Sequence, residues 1–148
     1  MTAETTITSR SPDETEAAGE RLGRTLQAGD VVALTGELGA GKTCFVQGLV
    51  RGLDVGALAT SPTFVLINEY RGRLSVHHVD AFRTASLTEL MELGLPELFD
   101  DGGVTLIEWA DKLAPLLPPR AIHVEIAGVG DEPRRITTKR AHVLKPRH

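Results

Sequence analysis

Cysteine is nearly absent from this chain of 148 residues, where Cys44 stands alone. That excludes an internal disulfide and a cysteine-built zinc site, and it fits a reducing compartment. No apolar run reaches the roughly 18 residues that a membrane-spanning helix requires, so no membrane association is expected. Residues Met1 to Arg10 are polar and include Glu4, which leaves no apolar segment for a secretory signal. Acidic side chains are missing from one region altogether. Of the 16 lysines and arginines, six (Arg134, Arg135, Lys139, Arg140, Lys145, Arg147) lie between 134 and 148, where none of the 20 aspartates and glutamates falls. The formal charge of −4 is therefore a body of −10 joined to an end of +6. With 41% hydrophobic and 24% charged residues, the remaining composition is that of one soluble domain, expected in the cytoplasm.

The chain divides into alternating signals. Ser11-Pro12-Asp13-Glu14 is a capping box with proline at the first helical position, followed by Ala18, Leu22 and Leu26 at helical spacing and by Gly29 as a terminator. Val31 to Thr35 is a short β-branched run that reads as a strand buried on both faces. Lys42 to Leu53 carries Phe45, Val46, Leu49, Val50 and Leu53 on one helical face. Strands are expected over 63–70 and 74–79, joined through Arg71-Gly72-Arg73 as a hairpin, and again over 104–107, 121–127 and 134–139. Further helices are expected over 86–93 and 111–117, the second stopped by Pro118-Pro119. This pattern predicts an α/β fold with a mixed sheet, a parallel core and antiparallel hairpin additions, flanked by helices. Residues 1–140 would form the domain and 141–148 a basic tail.

Between the first expected strand and the second expected helix lies Gly36-Glu37-Leu38-Gly39-Ala40-Gly41-Lys42-Thr43. It matches G-x-x-x-x-G-K-[ST] in full and sits in the strand–turn–helix context that the motif demands. Glycines permit backbone conformations that aim successive N–H groups at phosphate oxygens, and the helix N-terminus adds its positive dipole end. Lys42 can reach the β- and γ-phosphates, and the Thr43 hydroxyl can ligate Mg²⁺. The base is expected to be adenine. Asn68, the only asparagine, is followed by Glu69 and Tyr70, so the Asn-Lys-x-Asp element of Ras-type GTPases is missing.

A phosphate loop needs a carboxylate nearby to hold Mg²⁺ or order water. Asp80 and Glu108 each end an expected strand, where an open α/β sheet delivers side chains to one common edge. His77 and His78 alternate faces, so at most one turns towards that edge; a packed or solvent-facing role is the simpler reading of either. Ser61-Pro62-Thr63 is either a loop near the γ-phosphate or a strand-entry turn. Trp109, the single tryptophan, is a core anchor or a partner-facing aromatic. Arg83 reads as a salt-bridge residue and Cys44 as a small packed one.

The phosphate loop, Ser61-Pro62-Thr63-Phe64, His78-Val79-Asp80-Ala81-Phe82-Arg83, Glu89 to Leu95 and Glu108-Trp109 together resemble the TsaE (YjeE) family over roughly residues 12 to 128. The resemblance implies a small P-loop ATPase required for N6-threonylcarbamoyladenosine at position 37 of tRNAs that read codons beginning with A. It implies TsaB and TsaD subunits as partners, with tRNA met indirectly through the complex. It also implies ATP hydrolysis that permits repeated cycles; separately, no arginine in the sequence is clearly placed as a finger, so slow hydrolysis alone and stimulation by partners are expected. Carried onto these positions, Glu37, Leu38, Gly39, Ala40, Gly41, Lys42 and Thr43 would bind ATP, and Thr43 with Glu108 would hold Mg²⁺. Asp80 would lie beside the phosphates as the water- or metal-organising acid, Thr63 would belong to a nucleotide-sensing loop, and Trp109 would serve activity or partner contact. Cys44 replaces the family's usual second threonine, and Val79, Ala81 and Phe82 depart from its common His-Phe-Asp-Leu-Tyr-Arg.

Two other functions share the phosphate loop. A small-molecule kinase would need an acceptor pocket and an arginine-bearing lid, and no arginine-rich segment follows the core before Arg134. A non-catalytic nucleotide switch would use every residue named above, and absence of hydrolysis would distinguish it. The basic end reads as a solvated strand and coil, a docking surface for a partner, or a tRNA contact.

Overall fold

The computed structural model describes residues 2–36, 41–56, 67–80, 92, 97, 99, 102–108, 117–128 and 132–141. Among the described residues, seven strands form one sheet in the order β1-β7-β6-β2-β5-β4-β3. They are β1 (Thr2–Ser9), β2 (Val31–Gly36), β3 (Ile67–Arg71), β4 (Ser75–Asp80), β5 (Val104–Glu108), β6 (Ile122–Ala127) and β7 (Arg134–Ala141). Strand β2 lies between β5 and β6, parallel to both, and β4 continues the parallel set beyond β5. Strands β3, β7 and β1 are added antiparallel at the two sides. The expected mixed α/β sheet is thus the observed one.

The all-buried run of β5 and the four buried residues at the start of β2 mark strands covered on both faces. In β6, buried Ile122, Val124 and Ile126 alternate with exposed His123 and Glu125, so this part of the sheet is open on one side. The expected helices over 86–93 and 111–117 fall outside the described residues, apart from Glu92 and Leu117.

Helix α1 (Pro12–Thr25) starts as its sequence dictates, with the Ser11 side chain accepting from the Glu14 amide at 3.1 Å. The reciprocal bond runs one residue further out than a simple capping box: Glu14 Oε1 accepts from the Arg10 amide at 2.9 Å. Gly29 does not cap this helix. Leu26 is the C-cap, and Gly29, at φ +89°, belongs to the turn into β2, where its amide donates to the Gly103 carbonyl at 2.8 Å.

Helix α2 (Lys42–Gly52) crosses α1 at very close range. The contact is made by Gly19 and Gly23 on α1 and by Gly48 and Gly52 on α2. A methyl group on these glycines would run into the carbonyl oxygens of Phe45, Leu49, Glu16 and Glu20 respectively. Absent side chains are what let the backbones meet. Together the helices cover one face of the sheet, packing Phe45, Leu49 and Val50 with Val32, Leu34, Val104, Leu106, Val124 and Ile136.

The β3–β4 hairpin fastens the far ends of both helices. The Arg73 amide donates to the Leu53 carbonyl at 2.7 Å. Its guanidinium donates to the carbonyls of Leu26 and Gly23, at 3.1 and 3.0 Å, and so caps the C-terminal end of α1. Arg73→Ala is expected to cost about 1–2 kcal/mol, the worth of these bonds at an exposed site. The check is a lower urea midpoint at an unchanged m-value.

Strand β1 was not foreseen. The largely polar sequence of Thr2 to Ser9 offers little hydrophobic anchorage beyond Ile7, which among the described side chains packs against the core, and pairing is supplied by β7, with Thr2 opposite Ala141 and Ser9 opposite Arg134. The basic segment 134–141 is correspondingly an interior strand of the sheet and not a loose end. Residues 142–148 lie outside the described residues.

Candidate functional site at the phosphate loop

Strand β2 ends at Gly36 and α2 begins at Lys42, so the motif occupies the turn between a central parallel strand and a helix N-terminus. Gly36 is pressed against β6, where a Cβ would lie 2.6 Å from the Ile126 carbonyl oxygen. Gly41 is the N-cap at φ 100°, in the left-handed region that glycine adopts without strain. Lys42 is 7% exposed, and its ammonium donates to the Gly36 carbonyl at 2.7 Å. The two ends of the loop are therefore tied together by the residue expected to meet phosphate. Thr43, one position on, is exposed in the first helical turn. No acidic residue stands in that turn to oppose an anion. Glu37, Leu38, Gly39 and Ala40, together with Thr63 and Trp109, lie outside the described residues.

The start of α1 buttresses the loop, which sequence reasoning did not anticipate. Buried Thr15 lies under Gly41, where a Cβ would meet its Cγ2 at 3.6 Å. Its hydroxyl shares a 2.6 Å hydrogen bond with Ser9, also buried. The detectable signal was two small hydroxyl residues flanking a capping box, which by itself says nothing about the loop.

Asp80 and Glu108 end neighbouring parallel strands in register with each other, and Glu108 is also the partner of Leu34, two residues before Gly36. The sheet thus brings both backbone positions to the loop's edge. Glu108 is 5% exposed, and its Oε2 accepts a 2.6 Å hydrogen bond from His78 Nε2. Its second oxygen, Oε1, has no partner among the described residues.

His78 is itself 1% exposed, and its Nδ1 lies 3.4 Å from the Tyr70 hydroxyl. The two rings are tilted by 39° with centroids 6.0 Å apart. His77 points to the other face, with Nδ1 3.6 Å from Glu69. Both histidines are buried, and the one that shares a face with Glu108 is bonded to it. The period-two alternation gave that choice of face, but it could not identify the bond.

Among the described residues no group of three or more histidine, cysteine, aspartate or glutamate side chains could cage a metal ion. Mg²⁺ is instead compatible with few protein ligands, because it keeps waters and takes phosphate oxygens. The hard oxygen donors here, the exposed Thr43 hydroxyl and Glu108 Oε1, suit that mode. A cavity of about 510 Å³ lies elsewhere, against the sheet face away from α1 and α2, lined by Glu4, Thr6, His123, Glu125, Arg135 and Lys139. Its acidic and basic side chains are mixed, and Glu4 and Lys139 pair at 3.9 Å.

A central parallel strand running through this motif into a helix, beside strand-end carboxylates, defines an α/β protein of the P-loop type. The chain belongs to the TsaE family: the model for "Threonylcarbamoyl adenosine biosynthesis protein TsaE" matches residues 9–136. It is 43% identical to the tRNA threonylcarbamoyladenosine biosynthesis protein TsaE of Treponema pallidum, over 87% of this chain and 96% of that one. The protein of the same name from Bacillus subtilis is 40% identical over 86% of this chain and 80% of its own. The crystal structure of YdiB from Bacillus subtilis superposes with a TM-score of 0.77 at 34% identity, covering 95% of this chain and 87% of that one.

Proposed function

We propose that this chain is a Mg²⁺-dependent ATP hydrolase required for N6-threonylcarbamoyladenosine at position 37 of tRNAs reading codons that begin with A. The observation that carries the reading is a complete phosphate-loop motif, ending in buried Lys42 and exposed Thr43, within a chain of the TsaE family. It works in the cytoplasm with TsaB and TsaD, and meets tRNA through that complex. Residues 1–140 act as a single ATPase domain, with 141–148 as a basic extension.

In this reading Glu37 to Thr43 wrap the phosphates, with backbone N–H groups and the α2 N-terminus binding anionic oxygens. Lys42 contacts the phosphates with its ammonium. Thr43 and Glu108 hold Mg²⁺, which when bound offsets charge on the β- and γ-phosphate oxygens. Asp80 orders water or metal beside them. Thr63 belongs to a loop that senses the nucleotide, and Trp109 serves activity or the partner surface. Such catalysis is mostly positioning and charge neutralisation. The sequence marks no arginine clearly as a finger, and a finger contributes about 10³–10⁵-fold. Hydrolysis by the chain alone is accordingly slow, and TsaB and TsaD stimulate it.

The test is tRNA modification reconstituted from TsaB, TsaD, the synthase that supplies threonylcarbamoyl-adenylate, ATP and unmodified tRNA, with or without this chain. Repeated turnover is expected only when it is present, together with phosphate release that rises on adding TsaB and TsaD. Equal multi-turnover yields in its absence would refute the function. Modification without phosphate release would leave a nucleotide switch in place of a hydrolase.

A further inference from the structure

We propose that His78 is the positioning residue of Glu108: it holds one carboxylate oxygen so that the other is presented to the Mg²⁺ of the nucleotide complex. This rests on the reading of the loop as a Mg²⁺–nucleotide site. Glu108 is the last residue of β5, and a glutamate there has rotamers pointing in several directions. A buried carboxylate with no partner would also be costly. His78 answers both needs. It lies two residues before Asp80 on the adjacent parallel strand, so its ring reaches diagonally across to Glu108 on the same face.

The side chains are 1% and 7% exposed, which removes competing water from the bond. A carboxylate can only accept, so Nε2 carries the hydrogen, and Nδ1 is left as an acceptor for the Tyr70 hydroxyl at 3.4 Å. The imidazole is thus oriented from two sides by residues on β3 and β5. The asymmetry at Glu108 points to a ligand: Oε2 is taken, while Oε1 is without a partner among the described residues. Partners of ligating carboxylates that do not touch the metal commonly tune its affinity about 10–100-fold.

Mn²⁺ serves as the probe, with bound and free ion counted by electron paramagnetic resonance in the presence of ADP. ADP affinity is measured separately in EDTA, and a thermal melt checks folding. His78→Phe is expected to weaken Mn²⁺ binding to the ADP complex about tenfold or more, with ADP affinity in EDTA unchanged. His78→Gln, whose side-chain N–H can donate to the same oxygen, is expected to recover most of that loss. Should His78→Phe not fold, His78→Met, of similar length and with no N–H, makes the same comparison with His78→Gln.

Folded His78→Phe with wild-type Mn²⁺ affinity overturns the positioning role, since a purely structural histidine would move the melt alone. An equal loss of ADP affinity in EDTA overturns it as well, because the effect would not pass through the metal. A wild-type chain that binds neither ADP nor Mn²⁺ with ADP overturns the nucleotide reading and the positioning role together. Wild-type binding of both, with His78→Phe indistinguishable from it, overturns the positioning role alone.

Discussion

Replacing Lys42 by alanine is expected to lower ATP hydrolysis in the assembled system by about 100- to 1,000-fold, the usual cost of removing one charge-stabilising donor from a phosphoryl- or acyl-transfer site. The expectation comes from where the ammonium is. Lys42 is the first residue of α2, it is 7% exposed, and it is held by a 2.7 Å bond to the carbonyl of Gly36 across the loop. A cation so enclosed acts in surroundings less polar than water, where its attraction for phosphate oxygens is strengthened. Its removal also unties the loop's two ends. The fold should suffer less than the activity, because a part-buried hydrogen bond is worth about 1 kcal/mol. The measurement is phosphate release and modified-tRNA yield side by side with a thermal melt. A Lys42→Ala chain with near-wild-type hydrolysis would remove Lys42 from the site.

The second large effect is structural and runs against helix propensity. In an exposed helix interior, glycine to alanine stabilises by about 1 kcal/mol. Gly48→Ala is expected to do the reverse, because its methyl would have to enter the space of the Glu16 carbonyl on α1. That oxygen belongs to backbone and cannot rotate away, so the helices must separate. Overpacking of this kind costs about 1–3 kcal/mol and sometimes more, enough to lower the melting temperature by several degrees in a domain of this size. Gly56→Ala, in the coil after α2, is the control, since a Cβ there meets nothing within 4 Å among the described residues. If Gly48→Ala proves as stable as wild type while Gly56→Ala is neutral, the close crossing of α1 and α2 is wrong.

What could be read from the sequence followed from how strongly each signal is tied to one physical cause. The Ser11 cap and the β-branched runs of β2 and β5 depend on local sterics and burial, and they lie where expected. Strand β1 was missed because its partner, and not its own hydrophobicity, makes it a strand: Thr5, Thr6 and Thr8 are β-branched but exposed. The glycine pairs Gly19/Gly23 and Gly48/Gly52 were legible as a four-residue spacing. Nothing local, however, states that two helices are to be pressed together. At the site, strand ends foretold that the backbones of Asp80 and Glu108 would reach one edge. The bond from His78 to Glu108 was beyond reach, because it depends on the parallel register of β4 and β5, which neither strand encodes alone.

The seat of β1 at the rim of the sheet has a consequence for how the chain folds. Thr6 meets Thr137 across a separation of 131 residues. During synthesis the first strand therefore waits, unpaired, until β7 has emerged, whereas helix α1 directly behind it can close its own turns at once. Contacts of such long range slow folding. The segment that buttresses the loop through Ser9 and Thr15 is thus completed late, so nucleotide binding should be among the last properties a newly made chain acquires.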